Sequence, residues 1–103
     1  MNRIERITKM EECLEVSAEA VKKLSEALEA YETALREKNR LFDYYGSVQW
    51  MRDYEADEAG KLPKDLKRGV LSEDTVYDLI LEDRDLTVRM AKLVTEHIEH
   101  NAY

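Results

Sequence analysis

The sequence predicts an all-α fold, a long antiparallel helical hairpin with a short connecting helix and coiled-coil-like packing. Three observations carry that prediction. Three Gly and one Pro in 103 residues leave few turns. The 38% charged and 44% hydrophobic residues are mixed in the order of amphipathic helices rather than alternating as in strands. Apolar residues recur every seven positions at Ile7, Leu14, Val21, Leu28, Leu35 and Phe42, which is a heptad a series. A chain of this length makes a single helical domain, 1–103, with one core.

The first helix is expected over about 2–44, because neither Gly nor Pro occurs before Gly46. Its d positions are Met10, Ser17, Leu24, Tyr31 and Lys38, apolar for most of the length and polar toward the end. Cys13, Ala20, Ala27 and Ala34 fill the adjoining g positions, where short side chains allow a neighbouring helix to come close. On the opposite face Glu5 and Lys9, Glu19 and Lys23, and Glu32 and Arg36 are spaced for helical ion pairs. Gly46 stops this helix, and Ser47 is a candidate N-cap for a short helix over about 47–59, ended by Gly60.

Residues 60–72 read as a loop, since Pro63 restricts Leu62 before it and Gly69 interrupts the segment after it. Ser72 has N-cap chemistry, with Glu73 and Asp74 where the helix dipole favours acids, so a third helix is expected over about 73–98. It is shorter than the first. In an antiparallel hairpin the first turns, with Ile4, Ile7 and Met10, then lack an intrachain partner, and self-pairing is the simplest cover. The expected self-association seam is Ile4, Ile7, Met10, Leu14, Val21 and Leu28, and the expected assembly a homodimer.

Composition narrows the function. One Cys excludes an intrachain disulfide framework and fits core filler in a reduced, cytoplasmic setting. No apolar run reaches the roughly 18 residues of a membrane span, and the N-terminus has no signal-peptide pattern. A net charge of −7 argues against nucleic acid and anionic lipid as partners.

Several groups invite a chemical reading. Asp53, Glu55, Asp57 and Glu58 are the densest carboxylates, but Glu58 stands where a calcium loop starting at Asp53 needs Gly, so an acidic helix surface is the better reading. His97 and His100, beside Glu96 and Glu99, have no third ligand elsewhere and suit a helix C-terminus. Asp83 falls on the apolar seam of the third helix. A register-fixing pair with Lys38, a bond to the Tyr31 hydroxyl, and a place at the seam's edge in water are its three readings. Lys61, Lys64, Lys67 and Arg68 form a basic connector that could hold phosphate beside a helix N-terminus. Intrachain pairing with Asp53, Asp57 and Glu58 competes with that role. Neither a cofactor, a metal site nor a catalytic constellation is expected.

Six of the eight aromatics lie between Phe42 and Tyr77. Tyr44, Tyr45, Trp50 and Tyr54 read either as filling the junction between helices or as an interface cluster. With the basic connector they form the candidate interaction surface. The expected function is a non-enzymatic helical protein–protein interaction module that self-associates; the alternative is a small-ligand or phosphate-binding protein using connector residues 61–68.

The stretch YYGS, WMRDYEADEAGKLP and DLKRGVLSEDTVYDL, within residues 44–79, resembles small bacterial proteins of domain-of-unknown-function family 4298. The helical flanks fit that family in length and heptad character. The resemblance implies an all-helical bacterial cytosolic protein and carries no activity over to any residue here.

Overall fold

The computed structural model describes residues 2–101. Among them are three α-helices, one 3-10 turn and no strand: α1 Arg3–Tyr44, α2 Val48–Glu58, the turn Gly69–Leu71, and α3 Thr75–His100. The all-α class expected from the heptads is what the chain forms. The chain divides into two compact units, residues 1–39 and 40–103.

In the first unit, α1 starts where Asn2 Oδ1 accepts from the Glu5 backbone N–H at 2.8 Å, which satisfies a first-turn donor that the helix itself cannot. Thr8 and Thr33 return their hydroxyls to the carbonyls of Ile4 and Glu29, so neither breaks the helix. The Glu19–Lys23 pair forms at 3.8 Å. Lys9 turns instead to Glu12, three residues on, at 3.5 Å. No residue of α1 is buried. Cys13, expected as core filler, is exposed, because its face of the helix is uncovered.

The second unit carries the turns. Gly46 and Gly60 both have positive φ, +79° and +70°, the left-handed conformation that side chains disfavour. At Gly60 the Gly60 and Lys61 N–H groups donate back to the Asp57 and Ala56 carbonyls, both at 3.0 Å. That pattern closes α2 with its last carbonyls satisfied. Ser47 caps the start of α2: its hydroxyl accepts from the Trp50 N–H at 3.1 Å.

After a turn in which the Leu66 N–H donates to the Pro63 carbonyl, the 3-10 turn brings Leu71 into the core. The core of this unit is Trp50, Leu71 and Val76, exposed by 8%, 6% and 3%. Both α2 and α3 pack on the 3-10 turn. Ser72 Oγ accepts from the Thr75 N–H at 3.2 Å, but the N-cap of α3 is Asp74 rather than the expected Ser72, and regular helix begins only at Thr75. Ser72 is extended as it leaves the 3-10 turn, and its hydroxyl also bonds back to the Gly69 carbonyl at 3.0 Å. The bridging residues 72–74 are therefore held by side chains before the α-helical ladder takes over.

Candidate functional site

The aromatic residues singled out in the sequence converge in the second unit. Trp50 and Tyr54 are four apart on α2, hence on one face, and stack with centroids 5.3 Å apart and planes 18° from parallel. Tyr45, just before the Gly46 turn, meets Trp50 edge-on at 5.2 Å and 65°. Such offset and edge geometries match the quadrupoles of the rings. The indole N–H donates to the Val70 carbonyl at 2.8 Å, so a polar atom enters the core with its bond made.

Two tyrosine hydroxyls reach the same acid residue. Tyr45 donates to the Glu73 backbone carbonyl at 3.0 Å, and Tyr54 donates to the Glu73 carboxylate at 3.1 Å. Trp50, Tyr45 and Tyr54 thus form a clasp from α2 and its approach onto the chain that leads into α3. Of its receiving end, Val70 was not singled out in the sequence, and Glu73 was read only as an acid at the start of the third helix. Backbone carbonyls leave no mark in a side-chain pattern, although the apolar Val70–Leu71 step beside Ser72 was a signal for a buried turn.

Tyr44 faces away to Asp53, donating to its carboxylate at 2.6 Å; Gln49 donates to the other oxygen at 3.2 Å. Partial burial, followed by the hydrogen bond to Asp53 and that residue's charge, pushes the Tyr44 pKa from 10.0 up to about 12. The Tyr54 pKa is also raised, first by its bond to Glu73 and then by the Glu58 charge. Both phenols are held protonated, as donors. That direction is opposite to the one an activated base or nucleophile requires.

The basic connector is drawn in at one point. Arg68 meets the Asp57 carboxylate at 2.7 Å with both side chains partly shielded, while Lys61, Lys64 and Lys67 are exposed. Tyr54, Glu58, Arg68, Ser72 and Glu73 line an open cleft of about 460 Å³ over Leu71. Of the acids expected as partners for the bases, Asp57 takes Arg68, and Asp53 is taken by Tyr44 and Gln49. Among the described residues, no three of His, Cys, Asp and Glu come together in a metal-holding group. His97 lies 3.5 Å from the Asn101 amide through Nδ1. Asp83 is half-buried on α3, and Lys38 donates to the Tyr31 hydroxyl at 3.0 Å.

The seam residues of the first unit stand differently. Ile4, Ile7, Met10, Leu14, Val21 and Leu28 are all exposed, from 77% at Ile4 to 38% at Leu28, and so is Leu24 between them. The uncovered stripe is longer than the first few turns that hairpin geometry implied. At Tyr31, Leu35 and Lys38 the same face becomes half-buried.

The family model for a domain of unknown function, DUF4298, matches residues 7–93. The chain belongs to the DUF4298 family. No curated protein and no solved structure matches it. The matched span covers the whole aromatic clasp and the seam of this DUF4298 chain from Ile7 onward, leaving only Ile4 outside it. No helix among its described residues is long and apolar enough to cross a membrane.

Proposed function

We propose that this DUF4298 chain is a non-enzymatic interaction module that self-associates as a homodimer through the stripe Ile4 to Leu28 of α1, acting in the cytoplasm. One observation carries the reading: an apolar helix face some seven turns long, with Ile4, Ile7, Met10, Leu14, Val21, Leu24 and Leu28 all exposed. Exposed apolar residues scattered singly need no explanation, but a continuous heptad-spaced row does. A helix of this kind draws most of its stability from burying that row rather than from propensity. A second copy supplies a matching row by symmetry.

The clasp then has a supporting role. Trp50 is buried and the hydroxyls of Tyr44, Tyr45 and Tyr54 are bonded within the unit, which favours a fold-holding part for the aromatics. On α2 and the connector, a protein partner is left the exposed Val48, Met51 and Leu66 with Lys61, Lys64 and Lys67. Phosphate capture by the connector is the weaker reading, since Asp57 occupies Arg68 and Glu58 and Glu73 stand in the same cleft. Sedimentation velocity across a hundredfold range of protein concentration tests the proposal. A dimer that dissociates on dilution is expected; a monomer throughout the range removes self-association. A phosphate-induced rise in melting temperature that vanishes at high salt would transfer the function to the connector.

A further inference from the structure

We propose that α1 pairs with α1 of a second copy in parallel and in register, over Ile4 to Leu28. This deepens the self-association reading and rests on it. The extent follows from exposure: the a and d positions are uncovered from Ile7 to Leu28, and from Tyr31 onward the face is half-buried and holds the Lys38–Tyr31 hydrogen bond.

Two features of that stretch set the direction. In a parallel pair each g residue faces the e residue five positions on in the other copy. Arg6 then meets Glu11 of the second copy, an opposite-charge contact made twice by symmetry. The next facing pairs are Cys13 with Ala18 and Ala20 with Ser25, small and uncharged, so no like charges oppose one another. An antiparallel pair over the same stretch sets g against g and e against e. That brings Arg6 to Ala27 and Glu11 to Ala18, and the attraction is lost.

Ser17 is the second feature, the one polar residue in the uncovered a and d row from Ile7 to Leu28. Parallel pairing puts the two Ser17 hydroxyls in a single layer, where each has the other as a hydrogen-bond partner. The antiparallel arrangement sets each Ser17 against a Leu14, making two layers in which a hydroxyl faces only hydrocarbon. Both charge and polarity therefore select the same orientation. One polar layer of this kind is a known means of fixing register in a coiled coil.

The test uses the full chain with Cys13→Ala and Ile7→Cys, giving a single thiol at an a position. Parallel pairing in register places the two thiols in one layer; the antiparallel arrangement leaves them about 26 Å apart along the axis. A covalent dimer in high yield on mild oxidation is expected. Sedimentation of the reduced variant and of the unsubstituted chain separates the failures. Dimers that do not cross-link overturn the orientation and leave self-association standing, whereas monomers of the unsubstituted chain overturn both. A charge exchange checks the register without touching an apolar side chain: Arg6→Glu raises the dimer dissociation constant roughly tenfold, and adding Glu11→Arg restores it. Additive weakening in the double variant would overturn the pairing of Arg6 with Glu11.

Discussion

The first unit and the second solve the same problem of burial in opposite ways. Residues 3–28 of α1 present a regular apolar row with nothing buried, while the second unit builds a small core from Trp50, Leu71 and Val76. The row is made by repetition, and any one of its residues resembles the next. The core is made by particular bonds: the indole to Val70, two phenols to Glu73, Arg68 to Asp57. A repeated surface needs a partner to become a core, whereas a bonded corner needs none. The difference separates a region held together by its own bonds from one whose apolar row lies uncovered.

Trp50→Ala is the largest break in that contrast. It removes the centre of the clasp with both ring contacts and the Val70 bond, and the expected loss is about 3–5 kcal/mol. Urea denaturation followed by near-ultraviolet circular dichroism reads it, and a loss under about 1 kcal/mol would show that the clasp is not the core. Trp50→Phe sharpens the point by keeping a ring while orphaning the Val70 carbonyl. Its loss should be smaller, about 1–3 kcal/mol.

Leu14→Glu attacks the other region. Two buried Leu side chains are lost per dimer and two charges are introduced, so the dimer dissociation constant should rise by about two to three orders of magnitude. The near-ultraviolet signal of Trp50 in concentrated and dilute samples should not change with it. Parallel loss of both signals would mean that the corner does not stand without the paired helix.

The two regions were not equally legible in the sequence. Heptad spacing from Ile7 to Phe42 and the absence of Gly and Pro before Gly46 made α1 readable nearly end to end. Ser47 and Gly60 were readable because one residue type at one position satisfies a specific backbone need. The clasp was readable only as a choice between core and interface. Aromatic spacing reports which side chains share a face, but the choice depends on Val70 and Glu73, whose receiving groups include backbone carbonyls. The exposure of Cys13 was missed for a related reason: a small residue beside an apolar row looks like core filler until the cover for that row is sought. The candidate seam was legible as a stripe from Ile4 to Leu28, and hairpin geometry left only its first turns, with Ile4, Ile7 and Met10, without an expected intrachain cover, whereas the row is exposed as far as Leu28.

Ser47→Ala tests a smaller piece of the bonded corner. The hydroxyl satisfies the Trp50 N–H at the start of α2, and its loss should cost about 1 kcal/mol. Chemical denaturation gives the number. The effect should exceed that of a control change at exposed Gln49→Ala, whose bond to Asp53 lies at the rim. Equal effects would mean that the cap does not decide where α2 begins.

The smallest expected effect concerns pH and Tyr44, and its sign follows from the donor role of the phenol. In the fold Tyr44 ionises near 12, against 10.0 in an unstructured chain, because partial burial and Asp53 favour the neutral form. A raised pKa on an acid means that its contribution is fully present below pH 10 and is lost as the pH climbs through about 12. Solvent screens the pair, so the change is a modest slope rather than a collapse. Subtracting the stability of Tyr44→Phe from that of the unsubstituted chain isolates it, since the other tyrosines titrate in both. The difference should be flat from neutral pH to about 10 and decline above it. A difference that stays constant to pH 12 would show that Asp53 does not hold the Tyr44 proton, and would leave α2 joined to the end of α1 by the Gly46 turn and the Tyr45–Trp50 contact.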